Sequence, residues 1–178
     1  MNKKKTYNIA VVGLGNIGSY FLNFLIKNKK QICAKTNSNI GKIFISAKNK
    51  KRKRKILYNS KIIWLKNYKE IFFNKQIDIV IELVGNAEGP AKDLVFNSLK
   101  KKKHVITANK ALIAKYGDPL SKIAEMNKVN LEYEAAVCGG VPIIRSIKEG
   151  LIANKIDQIQ GILNGTSNYI LSSMHKNN

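Results

Sequence analysis

Short apolar runs alternate along this chain with longer segments whose apolar residues recur at helical spacing. The clearest runs are β-branched and apolar, as buried strands are, and they read YNIAVV (7–12), KIFIS (42–46), IDIVIELVG (77–85) and HVITA (104–108). The segments SYFLNFLIKNKK and AKDLVFNSLKKKK between them carry apolar residues on one helical face. Strands that alternate with helices predict βαβ units, and therefore an α/β fold with a doubly wound parallel sheet.

Weaker patterns complete the predicted order of elements. KIIWL (61–65) predicts a short strand, NYKEIFFNKQ (67–76) a short helix, and NLEYEAAV (130–137) a further strand. DPLSKIAEMNKV (118–129) predicts a helix with Pro119 near its start, where a proline is tolerated.

The pattern changes near Cys138-Gly139-Gly140. Beyond this point PIIRSIKEGLIAN (142–154) predicts a helix and KIDQIQGIL (155–163) a strand. We therefore predict two domains, with residues 1–138 forming the first and residues 139–178 beginning a second, α+β domain.

A glycine-rich turn follows the first strand directly and opens the next helix. Its six residues match the pattern GxGxxG: Gly13, Leu14, Gly15, Asn16, Ile17 and Gly18. In this context the pattern predicts a Rossmann-like dinucleotide site, since free N–H groups at the helix N-terminus bind phosphates. The alternative is a plain glycine-rich turn without a ligand.

The residues after the second strand bear on the choice between NADP and NAD. An NAD site usually has a carboxylate there, which accepts a hydrogen bond from the ribose 2′-OH. This chain has Lys48 and Lys50 and no acidic residue. The lysines favour NADP, whose 2′-phosphate they would attract, although they also fit the general lysine bias of the chain.

Two later strands end in polar residues, as ligand-binding strands of open α/β sheets do. Gly85-Asn86 follows the third strong strand, and Asn109-Lys110 follows the fourth. Lys110 is a candidate proton donor or cation beside a reacting carbonyl, although a surface lysine is the simpler alternative in so basic a chain. Glu82 lies inside an apolar strand, where such carboxylates are often structural.

The chain carries a net charge of +21. This charge fits either a polyanion partner or a lysine-rich coding bias. We favour the bias, because lysine far outnumbers arginine and aromatic residues do not interleave the basic runs. We therefore predict no specific nucleic-acid partner.

Targeting and metal signals are weak. Cys33 and Cys138 lack metal-type spacing, and there are only two histidines. No apolar run reaches the length of a membrane span, and the N-terminus lacks a signal-peptide pattern. We therefore predict a cytoplasmic protein without a membrane partner.

Five segments, in this order, carry a family resemblance: VVGLGNIG, IELVGNAEGPAK, HVITANKALIA, YEAAVCGGVPII and GILNGTSNYIL. Together they resemble the N-terminal half of homoserine dehydrogenase over nearly the whole chain from about Ile9. The resemblance implies NAD(P)H-dependent reduction of L-aspartate 4-semialdehyde to L-homoserine, on the route to threonine and methionine. The alternative is an NAD(P)-binding module without catalysis.

The resemblance also implies site residues. Lys110 would lie near nicotinamide and substrate and take part in catalysis, and Thr166 would hydrogen-bond the cofactor or the substrate. Glu134, with the backbone carbonyls around Val137, Gly139 and Val141, would hold a monovalent cation, usually sodium. Lys48 stands where the family often has an arginine, which supports NADP, and the full-length enzyme would be a homodimer.

The later carboxylates and lysine that complete the family's substrate site have no counterpart in this sequence. We expect either a piece of a longer enzyme or a truncated gene, and no dehydrogenase activity from this chain alone. Residues 141–171 would then expose apolar surface that favours self-association.

Overall fold

A computed structural model of the chain describes residues 4–57, 61–162 and 164–176. Its centre is a six-stranded parallel sheet in the order β3-β2-β1-β4-β5-β6. The strands are β1 (Thr6–Val12), β2 (Asn39–Ser46), β3 (Ile62–Trp64), β4 (Ile79–Glu82), β5 (His104–Thr107) and β6 (Leu131–Glu132). This is the order of doubly wound dinucleotide-binding folds, and it confirms the predicted fold class.

Seven α-helices lie in the described residues. They are α1 (Asn16–Lys27), α2 (Lys29–Lys35), α3 (Glu70–Phe73), α4 (Pro90–Lys100), α5 (Lys110–Asn127), α6 (Ile143–Arg145) and α7 (Gly165–Lys176). A 3₁₀ turn (Glu134–Ala136) precedes α6, and a π-helical turn (Ser146–Gly150) extends it. None of the helices in the described ranges is both long and apolar enough to cross a membrane.

Both faces of the sheet are buried, which explains why its central strands are almost entirely apolar. Along β1, Ala10 and Val12 join one buried cluster, while Ile9 and Val11 join the other. The first cluster is completed mainly by α4 and α5, and the second by Leu22 and Leu25 of α1. The alternation with period two therefore places helices on both faces, as a doubly wound sheet requires.

The predicted helix 118–129 was wrong at its start. The helix α5 begins at Lys110, so Pro119 lies inside it. Asn109 caps the true start, since its side-chain oxygen accepts a hydrogen bond from the Leu112 amide. Pro119 is exposed, so the carbonyl that loses its helical partner can be hydrated, while Leu112 and Leu120 on the other face are fully buried.

The predicted strand over 130–137 is also largely absent. Only Leu131–Glu132 pairs, with Val105 and Ile106 of β5, and the chain then turns into the 3₁₀ segment. The strand β5 ends at Thr107, so residues further along lack a partner strand.

The second region departs further from its predicted elements. The helix predicted over 142–154 is limited to 143–150, as α6 and the π-helical turn. The strand predicted over 155–163 is absent from 155–162, which are exposed, and residue 163 lies outside the described residues. No described strand lies beside these residues, and an extended segment without a partner gains no ladder of hydrogen bonds.

Candidate cofactor site

The carboxyl ends of four neighbouring strands form one row across the sheet. Register pairs Val12 with Ser46 on one side and with Glu82 on the other, and Glu82 pairs in turn with Thr107. The segments that follow these residues therefore leave the sheet at one edge. They contain the glycine turn, Lys48, the loop with Gly85-Asn86, and Lys110. Strands lie about 4.8 Å apart, which puts the turn after β1 and the start of α5 about 10 Å apart.

The glycine turn has the backbone that a bound pyrophosphate needs. Gly13 has a φ of 96°, and its amide donates a 3.0 Å hydrogen bond to the Ser46 carbonyl. A Cβ on Gly13 would collide with the Leu83 backbone, and a Cβ on Gly18 would collide with the Gly13 carbonyl oxygen. A Cβ on Gly15 would meet no atom within 4 Å. Gly13 and Gly18 therefore close the turn, while Gly15 faces open space.

The N-terminus of α1 is open to an anion. Its N-cap is Gly15, so no side chain caps the first amides, and the first turn holds no acidic residue. Asn16 and Ile17 are the first two residues of the helix and both are exposed. Free amides and the positive end of the helix dipole make this position suitable for phosphate groups. Leu14 differs, because its side chain is buried in the core.

A cavity of about 360 Å³ lies beside this turn. Its lining residues come from the turn and α1 on one side and from a basic segment on the other: Leu14, Gly15, Asn16, Ser19, Tyr20, Asn23, Arg52, Lys53, Arg54 and Lys55. Of these lining residues, the sequence predicted Leu14, Gly15 and Asn16 as site residues and none from the basic segment. Lys48 is exposed and is not among these lining residues, so its role at a 2′-phosphate stays a prediction.

Glu82 has a structural role in the loop after β4. Its carboxylate is fully buried and accepts hydrogen bonds from the amides of Val84 (2.6 Å) and Gly85 (3.2 Å). It also accepts a 2.5 Å bond from the Thr107 hydroxyl. Glu82 therefore has the structural role that its place inside an apolar strand suggested. It fixes the backbone of the loop that holds Gly85 and Asn86.

The same loop is held from two further sides. The Asn109 side chain donates a 2.6 Å hydrogen bond to the Asn86 carbonyl, which ties the loop to the start of α5. Glu88 accepts hydrogen bonds from Lys115, Tyr116 and Lys92. These hydrogen bonds lower the pKa of Glu88 to about 2, and the bond from Lys115 contributes most. Both Gly85 and Asn86 have positive φ, at 82° and 63°, so the loop holds a sharply bent conformation at the edge of the sheet.

Lys110 is the first residue of α5 and is exposed at the same edge. Its neighbour Asn109 is buried and fixed by three hydrogen bonds, which involve Thr107, Asn86 and Leu112. No hydrogen bond or ion pair joins the Lys110 ammonium group to any residue in the described ranges. The backbone of Lys110 is therefore fixed while its charged end stays available to a ligand.

The predicted cation ligands lie around a sharp bend. Cys138 and Gly139 both have positive φ, and Val141 closes the turn with a 3.2 Å hydrogen bond to the Cys138 carbonyl. Within the described residues, the carbonyls of Val137 and Gly139 accept no backbone hydrogen bond, so they fit a role as cation ligands. The Val141 carbonyl already accepts from the Ile143 amide.

Glu134 is engaged differently from the prediction. Its two carboxylate oxygens accept hydrogen bonds from the amides of Ile144 and Arg145, at 3.0 and 2.9 Å. The side chain thus caps the start of α6 and joins the first region to the second. A cation ligand role for the carboxylate stays a prediction.

Thr166 lies in the first turn of α7, where the Asn164 side chain accepts a 2.9 Å hydrogen bond from the Ser167 amide. Thr166 is exposed, as are nearly all described residues of this helix. The helix is therefore not packed against the sheet, and contact between Thr166 and the cofactor edge stays a prediction.

Comparison with known proteins gives the same assignment for both regions. Residues 13–134 match the family model described as "Homoserine dehydrogenase, NAD binding domain", and residues 142–178 match the model described as "Homoserine dehydrogenase". The boundary between the two matches falls beside the bend at Cys138 and Gly139.

Individual relatives carry the same name. The chain is 38% identical to the homoserine dehydrogenase of Neisseria gonorrhoeae and 41% identical to that of Helicobacter pylori. These matches cover 97% and 98% of this chain but only 39% and 40% of those proteins, respectively. The chain thus spans about two fifths of the length of these curated relatives.

Solved structures agree. The homoserine dehydrogenase of Thiobacillus denitrificans superimposes with a TM-score of 0.82 at 38% identity, over 97% of this chain and 39% of that one. The enzyme of S. aureus superimposes with a TM-score of 0.72 at 38% identity, over 97% and 42% of the two chains. The chain therefore belongs to the homoserine dehydrogenase family, and residues 13–134 form its nicotinamide-cofactor-binding domain.

Proposed function

We propose that this chain is the cofactor half of a homoserine dehydrogenase that reduces L-aspartate 4-semialdehyde to L-homoserine with NADPH. The observation that carries the proposal is one sheet edge that holds both the open glycine turn and Lys110, whose helix begins about 10 Å from that turn. The family assignment supports the same reaction, because the relatives bear the name of that enzyme.

Each part of this edge has a task in the proposed reaction. The amides at the start of α1 bind the pyrophosphate, and Gly15 allows its close approach. NADPH, when bound at this edge, would supply the hydride for the carbonyl carbon of the substrate. The Lys110 ammonium group stabilises the negative charge that develops on the carbonyl oxygen, and can donate the proton that this oxygen gains. Gly85 and Asn86 shape the edge between the two groups.

We infer NADP rather than NAD from the charge around the adenosine end. The segment after β2 holds Lys48 and Lys50, and Arg52 and Lys53 line the cavity beside the glycine turn. A 2′-phosphate would gain from these cations, whereas no carboxylate follows β2 to accept a ribose hydroxyl.

Three further roles belong to the same proposal. A monovalent cation, sodium by its preference for oxygen ligands, would bind the carbonyls of Val137, Gly139 and Val141 near Glu134. Thr166 would approach the substrate once α7 packs in the complete enzyme. The complete enzyme would be a cytoplasmic homodimer that acts on a small molecule.

The alternative is a nicotinamide-binding module without catalysis, and it shares the glycine turn with the enzyme. A pure binding module has no need for a fixed lysine beside the nicotinamide position. Lys110 therefore separates the two functions.

The test follows NADPH absorbance and NADPH fluorescence in one sample that contains aspartate semialdehyde. For the 178-residue chain we expect binding without turnover. A chimera that joins this chain to the remaining length of a relative such as the Helicobacter pylori enzyme should reduce the semialdehyde. Lys110→Ala should lower kcat of that chimera by about 100-fold or more, with little change in NADPH affinity. Lys122→Ala, at an exposed lysine later on α5, is the matched control. An active chimera that tolerates Lys110→Ala would refute the role of Lys110.

A further inference from the structure

The basic segment Lys48–Lys55 has an unusual problem of charge. Seven of its eight residues are Lys or Arg, and four of these, Arg52 to Lys55, line the cavity beside the N-terminus of α1, which carries partial positive charge. Like charges repel one another and are repelled by this helix end. The segment must therefore be held at the cavity by specific contacts.

Arg54 supplies these contacts. Its Nε donates to the Leu14 carbonyl of the glycine turn at 2.9 Å. Its Nη1 donates to the Arg52 carbonyl at 2.9 Å, and its Nη2 donates to the Asn49 carbonyl at 2.7 Å. The guanidinium carbon also lies 5.9 Å from the centre of the Trp64 ring, within the range of a cation–π contact. One planar side chain thus joins both walls of the cavity and folds the segment on itself.

Other bonds fix the C-terminal end of the segment to α1 and form a local turn within the segment. The Asn23 side chain of α1 donates to the Lys55 carbonyl at 2.7 Å and accepts from the Leu57 amide at 2.8 Å. The Asn49 side chain accepts from the amides of Lys51 and Arg52 and so forms a local turn. Of the contacts that the described residues make here, those of Arg54 join this local turn to the glycine turn.

The glycine turn has restraints of its own. The Gly13 amide bonds to the Ser46 carbonyl, and the Ser19 hydroxyl donates to the Leu14 carbonyl at 3.3 Å. Loss of Arg54 would therefore leave the pyrophosphate position largely intact. The basic segment, including Arg52 and Lys53, would lose its position relative to the cavity.

We propose that Arg54 is a positioning residue that sets the preference for NADP by holding the basic segment against the glycine turn. The proposal rests on the cofactor assignment above and deepens it. Arg54 acts through the side chains that it positions, since three of its five N–H groups are already bonded to backbone carbonyls.

The substitution that isolates this role is Arg54→Lys. It keeps the charge but cannot bond three carbonyls in one plane. NADPH and NADH dissociation constants are measured by fluorescence titration of the 178-residue chain. We expect NADPH affinity to fall about tenfold or more and NADH affinity to fall less than about threefold. Arg145→Lys, the same exchange at an exposed residue outside the cavity, should leave both constants within about twofold.

The outcomes separate the two proposals. A wild-type chain that binds NADPH and NADH equally would refute the NADP preference, and with it the role of Arg54. A selective wild-type chain whose selectivity survives Arg54→Lys would refute the role of Arg54 alone. An equal loss of both affinities, together with a lower Tm, would show that Arg54 only stabilises the fold.

Discussion

The two regions of this chain differ in what they bury. In residues 6–137 the sheet is covered on both faces, and side chains such as Leu22, Leu94 and Leu120 are fully buried. In the described residues from 141 to 176 no residue of a helix is buried. The second region instead exposes large apolar side chains: Val141, Leu151, Ile152, Ile156, Ile159, Ile162, Tyr169, Ile170, Leu171 and Met174.

The comparison shows that the cofactor half has its own core, while the second region contains helices without one. Helices of this length gain most of their stability from packing an apolar face. The exposed apolar surface predicted for residues 141–171 is confirmed for the described residues of that range. Self-association through this surface stays a prediction.

The largest expected difference between the regions concerns a buried and an exposed leucine. Leu94→Ala in α4 should lower the free energy of unfolding by about 3–4 kcal/mol, because it leaves a cavity in the core. Leu171→Ala in α7 should change it by less than about 0.5 kcal/mol, because the side chain is 65% exposed. Urea denaturation followed by circular dichroism measures both. Similar losses would mean that the second region is packed in solution.

The next largest difference in stability is expected between a buried and an exposed carboxylate, Glu82 and Glu149. Glu82→Ala should cost about 2–3 kcal/mol, because it leaves the amides of Val84 and Gly85 and the Thr107 hydroxyl without their acceptor. Glu149→Ala should cost less than about 0.5 kcal/mol, because its ion pair with Arg145 is exposed. Thermal unfolding of both variants gives the comparison. A neutral Glu82→Ala would contradict its place at the centre of the loop.

Two glycines of the same turn should behave in opposite ways. Gly18→Ala should destabilise the chain by about 2 kcal/mol, because its Cβ would collide with the Gly13 carbonyl oxygen. Gly15→Ala should change stability by less than about 1 kcal/mol, since its Cβ would meet open space. Gly15→Ala should nevertheless weaken NADPH binding about tenfold, because its Cβ would block the close approach of the pyrophosphate. Parallel denaturation and NADPH titration check both, and tight binding by Gly15→Ala would contradict the proposed position of the phosphates.

The smallest effect is a pH dependence confined to the first region. Burial, with a hydrogen bond to Asp93, raises the pKa of Tyr68 to about 12. The pKa of Tyr68 in the unfolded chain is about 10. The contribution of Tyr68 to the free energy of unfolding is therefore complete below pH 10 and is lost as pH rises towards 12. Tyr68→Phe should remove this part of the pH dependence. The difference between the two proteins, measured by urea denaturation from pH 9 to 11.5, should shrink as pH rises. A constant difference would refute the shift.

The sequence predicted the first region well because its elements satisfy one another locally. Apolar strands such as 77–85 and the glycine turn leave few alternatives to a parallel sheet with a helix after β1. The prediction was wrong where tertiary context decides. Pro119 looked like a helix start, but its exposed position in α5 makes an interior proline tolerable. The strand predicted over 155–163 has no neighbouring strand among the described residues.

The site was predicted less completely than the fold. A motif identifies Gly13, Gly15 and Gly18, since each has a distinct steric role. The basic segment shows seven cations in eight positions, and the sequence cannot tell which of them turns inward to backbone carbonyls. Arg54 was therefore missed, while Lys48 was chosen for its place after the second strand and its resemblance to a family arginine. Asn49 was a signal of an ordered turn that the surrounding charge obscured.

Amide hydrogen exchange, with and without NADPH, tests the contrast between the two regions most directly. We predict strong protection in β1, β4 and β5 and weak protection in 143–150 and 165–176. NADPH should add protection at residues 13–19 and 52–55 and none at 165–176. Equal protection in the two regions, or NADPH-dependent protection in α7 rather than at the glycine turn, would contradict the account of a complete cofactor half joined to an uncovered second region.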